Sequence, residues 1–448
     1  MGVLVVGLAP STGVGAQSPP RPDSSTRDSS VTRLSPDSLA ARLGRAEAAL
    51  ELLRTQLATE ASSAVRTRSR LQVELWARIL LNGSVNRGPL NSAEVPTYAF
   101  NEPSTPHARA LGFSVRQSRA GMSVSVDSVL HGAFSADVDV DFFAGGASTA
   151  TDRYLFPQPR LRTVRFILRW ARTELLVGSE TPLISDLNPV SVASVGLPGF
   201  ADAGNLWYWL PQLRLGRELG TMSLGATPVR WALQGAILQP FSGVRSVDEE
   251  YGVDAGMRSA RPFVQFRLRA LWGPDATDVA AGAGRSDTGG ELGAGVHRGW
   301  IRLAGDTLTT SEALSFDARI GLRHGLELRG EAYRGRVLAG LGGGGIEQNF
   351  GVPATGAAFG VPLRDTGGWM QLNWQAHPTL ITGGGCGIDA PDVRDRPERR
   401  RNESCAAHVL WRPAQPLLFG VEVRHLRTTY ATRTASGNHV NFAFGFEL

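Results

Sequence analysis

The sequence predicts an all-β fold, a transmembrane antiparallel β-barrel of about 16 strands preceded by a short N-terminal coiled-coil helix. Two observations predict the barrel. Apolar and polar residues alternate over many segments of about eight to twelve residues, long enough to cross a bilayer when tilted, and the polar face of these segments is richly charged. A third observation, a heptad repeat of leucine near the N-terminus, predicts the helix.

The last strand shows the alternation most clearly. Residues 437–448 place apolar side chains on one face (Val440, Phe442, Phe444, Phe446 and Leu448). Small or polar side chains occupy the other face (His439, Asn441, Ala443, Gly445 and Glu447). Lipid on one side and an aqueous lumen on the other require this pattern. Taken alone, the segment also fits the last strand of a soluble sandwich.

Before the barrel, the chain divides into three parts. Residues 1–16 resemble a secretory signal peptide without its basic start, and residues 17–38 have the composition of a flexible linker. Residues 39–66 form the predicted coiled-coil helix, and the barrel spans residues 71–448. The heptad seam consists of Leu39, Leu43, Ala46, Leu50, Leu53 and Leu57. A helix this short needs a partner in water, so we expect self-association, with packing on its own domain as the alternative.

The composition excludes several functions. All 46 basic residues are arginine, and the formal net charge is only +5, so we expect no nucleic-acid partner. The sequence lacks the catalytic and nucleotide-binding motifs of the common enzyme classes. We therefore predict no enzyme activity, no catalytic residue, no metal site and no cofactor.

Opposite charges line neighbouring predicted strands on the face that points inward. The predicted lining residues are Arg119, Asp137, Asp139, Asp141, Arg165, Arg169, Arg267, Arg269 and Arg319. Walls of opposite sign set a transverse field that selects charged solutes. Simple solvation of the lumen, with structural ion pairing, is the alternative.

Two long segments interrupt the strands. Residues 178–205 contain enough Leu, Val and Phe to pack, so we expect them to fold into the lumen as a constriction; an external loop or a protomer contact is the alternative. Residues 338–365 are expected to form a mobile external loop. Cys386 and Cys405 flank a very polar hairpin loop, and in an exported protein they are expected to form a disulfide.

Four short motifs resemble the DcaP-like outer-membrane porins, relatives of the phosphate-selective porins. They are Arg116-Gln117-Ser118-Arg119, Asp139-Val140-Asp141-Phe142-Phe143-Ala144-Gly145-Gly146, Pro159-Arg160-Leu161-Arg162 and Leu175-Leu176-Val177-Gly178. The resemblance implies a homotrimer of sixteen-stranded barrels, with the N-terminal helices bundled in the periplasm. It also implies passage of small anions such as dicarboxylates through an arginine-lined constriction.

The matched basic positions are Arg116, Arg119, Arg160 and Arg162. By alternation Arg119 points inward, and Arg116 does so only if a β-bulge shifts the register, as the change of parity from Phe113 and Val115 to Met122 and Val124 indicates. Arg160 and Arg162 share parity with Val164 and are expected near the rim. The chain departs from the family in lacking lysine, in ending in Leu448, and in the stretch Ser179-Glu180-Thr181-Pro182. The last departure leaves the solute preference open.

We expect an outer-membrane porin for passive diffusion of small hydrophilic solutes, leaning to anions such as dicarboxylates or phosphate. Its expected partners are copies of itself, outer-membrane lipid and lipopolysaccharide, and small anionic solutes. The alternative is a structural barrel that its coiled coil tethers to the cell wall or to other proteins, which adds peptidoglycan to the partners.

Overall fold

The computed structural model describes residues 71–101, 109–144, 157–243, 253–273, 289–303, 306–357 and 359–448. The predicted signal peptide, linker and coiled-coil helix lie outside the described residues. No helix within these ranges is long and apolar enough to cross a membrane.

The described residues form one antiparallel sheet of seventeen strand segments. Their bounds are β1 Gln72–Arg87, β2 Arg109–Ser114, β3 Arg119–Val129, β4 Gly132–Ala144, β5 Gln158–Arg169, β6 Thr173–Glu180, β7 Leu210–Leu224, β8 Thr227–Leu238, β9 Phe263–Trp272, β10 Gly290–Arg302, β11 Leu308–Gly321, β12 Leu326–Arg336, β13 Arg364–His377, β14 Leu380–Pro391, β15 Arg399–Trp411, β16 Leu417–Tyr430 and β17 Thr434–Glu447. Short helical turns occur at Met257–Ser259, Arg323–Gly325, Ala339–Leu341, Gly344–Glu347 and Val393–Asp395.

The sheet closes on itself between its first and last strands. Strand β1 pairs with β17 from Arg78 opposite Glu447 to Arg87 opposite Asn438. Strands β2 and β3 both pair with β1, on either side of a break at residues 115–118, so together they fill one strand position. The result is a closed barrel of sixteen positions, and the prediction of an all-β barrel of about sixteen strands is confirmed.

The two faces of each strand differ in the way that the alternation predicted. On β17, the Phe444 side chain points outward and is 50% exposed, whereas Asn441 points inward and is fully buried. A soluble protein buries its aromatic residues and exposes its amides. This inversion is typical of a barrel with a polar interior and an apolar outer surface.

The two rims of the barrel differ in the length of their connections. At one rim, the connections have two to five residues, with 273–289 as an exception; the short ones are 130–131, 170–172, 225–226, 322–325, 378–379 and 412–416. At the other rim, the connections 181–209, 239–262 and 337–363 each exceed twenty residues. Outer-membrane barrels have short periplasmic turns and longer extracellular loops, so we name the rims periplasmic and extracellular accordingly. Trp374 and Trp411 point outward near the periplasmic rim, as an interfacial aromatic girdle requires.

The connection 337–363 differs from the expected external loop. Leu338 and Leu341 are fully buried and pack with Leu183 and Leu206 of the connection 181–209. The expectation of a mobile external loop is therefore wrong for this part of the segment, because its apolar side chains find a core inside the mouth of the barrel.

Cys386 and Cys405 form a disulfide between directly opposed positions of β14 and β15. Both side chains share the outward face of their strands with Val409 and Trp411. The bond thus ties two neighbouring strands on the outer surface of the barrel.

Candidate functional site

The connection 181–209, here named the luminal segment, lies inside the barrel. Leu183, Ile184, Phe200 and Leu206 are all nearly or fully buried. At β14 the segment lies directly against the wall, because a Cβ atom on Gly387 would come within 2.1 Å of the Ala203 carbonyl oxygen. The segment enters the lumen as its apolar content predicted, beginning at residue 181, since residues 178–180 complete β6.

Inward-pointing polar side chains of the barrel wall hold the backbone of the luminal segment. The Gln117 side chain accepts hydrogen bonds from the backbone N–H groups of Val195 (2.7 Å) and Gly196 (2.9 Å), and donates to the Ala193 carbonyl (2.7 Å). Irregular backbone inside a barrel needs such partners, because its N–H and C=O groups have no neighbouring strand.

The same arrangement recurs on the far wall. The Gln371 amide on β13 accepts a hydrogen bond from the Val190 N–H (2.7 Å) and donates to the Val190 carbonyl (3.0 Å). On β12, the Glu331 carboxylate accepts from the Leu187 N–H (2.8 Å) and the Ser185 hydroxyl (2.6 Å). The luminal segment is therefore fixed to opposite walls, and it crosses and narrows the lumen.

A cavity of about 560 Å³ lies between this segment and the wall. Trp76, Arg78 and Arg412 line it from the ends of strands near the periplasmic rim, so it occupies the periplasmic side of the segment. Seven arginines line it: Arg78, Arg119, Arg162, Arg165, Arg319, Arg329 and Arg412. Four carboxylates line it: Asp137, Asp139, Glu180 and Asp186. Arginine therefore outnumbers carboxylate among the lining side chains. Carboxylates just behind the lining pair with three of these arginines: Glu447 with Arg78 and Arg412, and Glu327 with Arg329.

The cations lie on opposite walls of the cavity. Arg162 and Arg165 belong to β5, whereas Arg319 on β11 and Arg329 on β12 are six and seven strand positions away around the sixteen-position barrel. A solute crossing the cavity therefore meets arginine on both sides, with the luminal segment above it.

The arginines of β5 differ in how firmly they are held. Arg162 is buried and donates to the Val195 carbonyl (2.7 Å). Arg165 forms ion pairs with Asp137 (3.3 Å) and Glu180 (2.9 Å), yet its side chain is 37% exposed to the cavity. More than a third of the Arg165 side chain is thus open to the cavity.

On the neighbouring and opposite walls, the pairing is uneven. Arg119 forms an ion pair with Asp139 and lies over the ring of Trp76. Arg319 has a loose ion pair with Glu291, at 3.9 Å. The cavity therefore combines fixed charge pairs with arginines that retain hydrogen-bonding capacity.

The predicted lining residues separate into three groups. Those that line this cavity are Arg119, Asp137, Asp139, Arg165 and Arg319. Arg169 and Arg269 line a second recess near the periplasmic rim, where Arg169 pairs with Glu174 (2.6 Å) and Arg269 with Glu291 (2.7 Å). Asp141 and Arg267 are buried in the wall: Asp141 pairs with Arg160 (2.6 Å), and Arg267 pairs with Asp317, Glu291 and Asp186.

Two β-bulges change which residues point inward near the motifs that resemble the DcaP-like porins. The break at residues 115–118 turns Arg116 inward, where it pairs with Glu94 (2.9 Å) and lies over the Phe143 ring. By alternation Arg116 could point inward only with a bulge, and the bulge is present.

The second bulge turns two further arginines inward. The pairing of β4 with β5 shifts register at Asp139 and Val140, so Arg160 and Arg162 both point inward, which their parity with Val164 did not predict. As the third and fifth residues of β5, they lie in the half of the strand nearer the extracellular rim, in agreement with the expected position near the rim. Leu161 between them points outward and is 60% exposed. The signal in the sequence is the change of parity from Leu161 to Val164, which is the same kind of signal that indicated the bulge at Arg116.

Two carboxylates of the luminal segment have opposite electrostatic environments. Burial raises the pKa of Asp186, but Arg267 and Arg214 outweigh burial and hold its pKa well below the usual range. Burial, together with the nearby Glu347, raises the pKa of Asp202 to about 7. The first carboxylate is a permanent charge, whereas the second gains a proton in mildly acidic solution.

No cluster of His, Cys, Asp and Glu among the described residues could hold a metal ion. The chain matches no protein-family model and no curated protein sequence. Solved structures do resemble it in fold.

The crystal structure of the outer membrane channel DcaP of Acinetobacter baumannii superposes with a TM-score of 0.62, at 12% sequence identity, over 86% of this chain and 100% of that one. An anion-selective porin from Comamonas acidovorans superposes with a TM-score of 0.51, at 10% identity, over 84% of this chain and 100% of that one. In fold, the chain resembles the DcaP channel, the family to which its sequence motifs pointed.

Proposed function

We propose that this protein is an outer-membrane porin through which small hydrophilic solutes diffuse passively, with a preference for anions such as dicarboxylates or phosphate. The observation that carries the proposal is the excess of arginine at the cavity surface, where seven arginines and four carboxylates lie beside the luminal segment. The Comamonas acidovorans porin of similar fold is anion-selective, which agrees with this preference.

Arginine suits this role for two reasons. Its guanidinium stays protonated at any physiological pH and offers donors in a fork that matches carboxylate and phosphate. Arginines on opposite walls also raise the local concentration of anions and repel cations at the same point. Because the screening length is about 8 Å at physiological salt, we expect the preference to weaken as salt is raised.

The exposed part of Arg165 is the best candidate for contact with solute. Its two carboxylate partners hold the side chain in place, and the exposed fraction leaves donors directed into the cavity. A passing anion can exchange with water at these donors without breaking the ion pairs, so binding stays weak enough for release.

The experiment that tests the proposal is single-channel recording of the refolded, full-length protein in a planar bilayer under a salt gradient. We expect stepwise conductance and a reversal potential of the sign that anion selectivity gives. A cation-selective reversal potential refutes the anion preference. Absence of conductance from a correctly folded barrel refutes the channel itself.

We also propose that the protein assembles as a homotrimer in the outer membrane, surrounded by lipid and lipopolysaccharide, with residues 39–66 in the periplasm. The heptad leucines Leu39, Leu43, Leu50, Leu53 and Leu57 support the assembly, since their stripe needs a partner. Conductance steps in groups of three, and their loss on deletion of residues 39–57, are the expected results. Single steps from the intact protein would contradict the trimer.

The heptad repeat also favours a second candidate function, in which the coiled coil tethers a structural barrel to the cell wall. That function predicts cosedimentation with peptidoglycan that is lost when residues 39–57 are deleted. Failure of the intact protein to bind peptidoglycan eliminates it.

A further inference from the structure

An unusual set of charges lies on the outer surface of the barrel. Arg298 on β10, Glu312 on β11 and Arg336 on β12 occupy directly opposed positions in the sheet, with Arg334 one outward position below Arg336. We name these four residues the outer arginine cluster. Their side chains share the outward face of Val296, Leu314 and Ala332, so they point away from the lumen.

The cluster lies at the extracellular edge of the apolar outer surface. Each of its strands ends at the extracellular rim within a few residues of the cluster: β10 at Arg302, β12 at Arg336, and β11 begins at Leu308. Exposed Val296 and Leu314 lie level with Arg334. Closer to the periplasmic rim, the same face carries further exposed apolar side chains such as Phe316 and Met370. In a bilayer this edge coincides with the headgroups of the outer leaflet.

The cluster carries more positive charge than it neutralises. Glu312 is shared between Arg298 and Arg336, the latter at 3.2 Å. Arg334 is exposed and has no ion-pair partner among the described residues. Three arginines therefore face one carboxylate, and the side chains of Arg298 and Arg336 remain 53% and 43% exposed. Arginine is the side chain best suited to bidentate binding of phosphate.

The same arrangement recurs elsewhere on the outer surface. On β15 and β16, Glu403 lies between Arg401 (2.7 Å) and Arg427 (3.7 Å), and all three point outward near the extracellular rim. One carboxylate between two arginines keeps the guanidinium groups apart and aligned while leaving a net positive charge. Its repetition argues for a common ligand rather than for chance pairing.

We propose that the outer arginine cluster binds the phosphate groups of a phosphorylated glycolipid of the outer leaflet, namely lipopolysaccharide. The proposal depends on the proposed outer-membrane location but not on the pore. Acyl chains of such a lipid would cover the apolar face below the cluster while its phosphates pair with Arg298, Arg334 and Arg336. Basic residues at a membrane surface attract anionic headgroups. Each arginine is expected to raise the affinity for such a headgroup about fivefold.

The test uses the full-length protein refolded in detergent free of lipopolysaccharide. Binding is measured by titration with vesicles that contain lipid A in phosphatidylcholine, with pure phosphatidylcholine vesicles and inorganic phosphate as separate probes. We compare the wild type with the double variant Arg334→Ser/Arg336→Ser. The control is Arg217→Ser, which removes an exposed arginine from the outer face of β7 towards the periplasmic rim.

We expect lipid A vesicles to bind the wild type and the control equally, and the double variant about 25-fold more weakly, since two arginines are removed. Conductance should be the same in all three, which separates this test from that of the pore. Equal binding of the double variant overturns the proposal. If inorganic phosphate competes at the same concentration as lipid phosphate, the cluster is a site for free anions and the proposal is wrong. If the double variant changes oligomeric state but not lipid binding, the cluster is a protein contact and the proposal is also wrong.

Discussion

The guanidinium group of Arg267 lies 3.2 Å from the carboxylate of Asp186, and this contact joins the barrel wall to the luminal segment. Arg267 is completely buried and also pairs with Asp317 and Glu291 on the wall. Asp186 receives a second arginine, Arg214, at 3.2 Å. The luminal segment is thus attached through a charge network as well as through backbone hydrogen bonds.

Replacing Asp186 with Asn should destabilise the protein by about 2 kcal/mol. The largely buried Arg267 and Arg214 would then lose one of the negative charges that neutralise them. We take a value below the range for fully buried pairs because the Asp186 side chain is partly exposed. Loosening the segment should also make single-channel currents noisier. Denaturant unfolding and current recordings measure the two effects.

The matched control for this prediction is Asp306→Asn. Asp306 pairs with Arg302, but its side chain is 83% exposed, so the change should alter stability by less than about 0.5 kcal/mol. Equal destabilisation by the two variants would show that the Arg267–Asp186 contact does not hold the segment.

The strands of this barrel are predictable because alternation is a local signal that the chain carries within each strand. The inward positions of Arg160 and Arg162 were missed because a bulge is defined by the partner strand, here β4, whose register the sequence does not reveal. The signal in the sequence is that the outward face changes from odd-numbered to even-numbered residues between Leu161 and Val164. A single change of this kind also occurs where a strand ends.

The burial of Arg267 shows a second limit. From the sequence, Arg267 is predicted to point inward in the same way as Arg165 and Arg319. Whether such a residue faces the cavity or is enclosed by carboxylates depends on its height in the barrel and on the path of the luminal segment. That path is set by long-range hydrogen bonds that backbone N–H groups of the segment donate to Gln117, Glu331 and Gln371.

Changing Arg165 to Ser should lower the anion preference. One charge is removed from the arginine-rich surface of the cavity. A unit charge about 7 Å away in water contributes about 0.6 kcal/mol, or roughly a threefold change in the permeability ratio. The control is Arg169→Ser on the same strand, where the side chain lies in the second recess and pairs with Glu174. Reversal potentials under a salt gradient measure both variants, and equal shifts would exclude the cavity as the selective region.

The stability of the protein should depend on the protonation of Asp202. Burial and the nearby Glu347 raise its pKa to about 7, whereas an unfolded chain has a pKa near the ordinary value. The folded state therefore binds this proton more tightly, and its stabilisation is full below about pH 4 and is lost as the pH rises through about 7.

The variant that tests this dependence is Asp202→Asn, which keeps the size of the side chain and tolerates the left-handed backbone at this position (φ 60°). We expect the variant to lose less stability than the wild type between pH 5 and pH 8. Denaturation midpoints at the two pH values decide the question, and parallel losses in the two proteins would mean that other groups titrate.

Replacing both Cys386 and Cys405 with Ala should lower the free energy of unfolding by about 2 kcal/mol. The disulfide closes a loop of sequence separation 19 and restrains the unfolded chain, although the hairpin of β14 and β15 already limits the gain. A reducing agent should destabilise the wild type by a similar amount and leave the variant unchanged. Since both sulfur atoms lie on the outer face, conductance should not change in either case. A change in selectivity on reduction would instead mean that the bond controls the shape of the lumen.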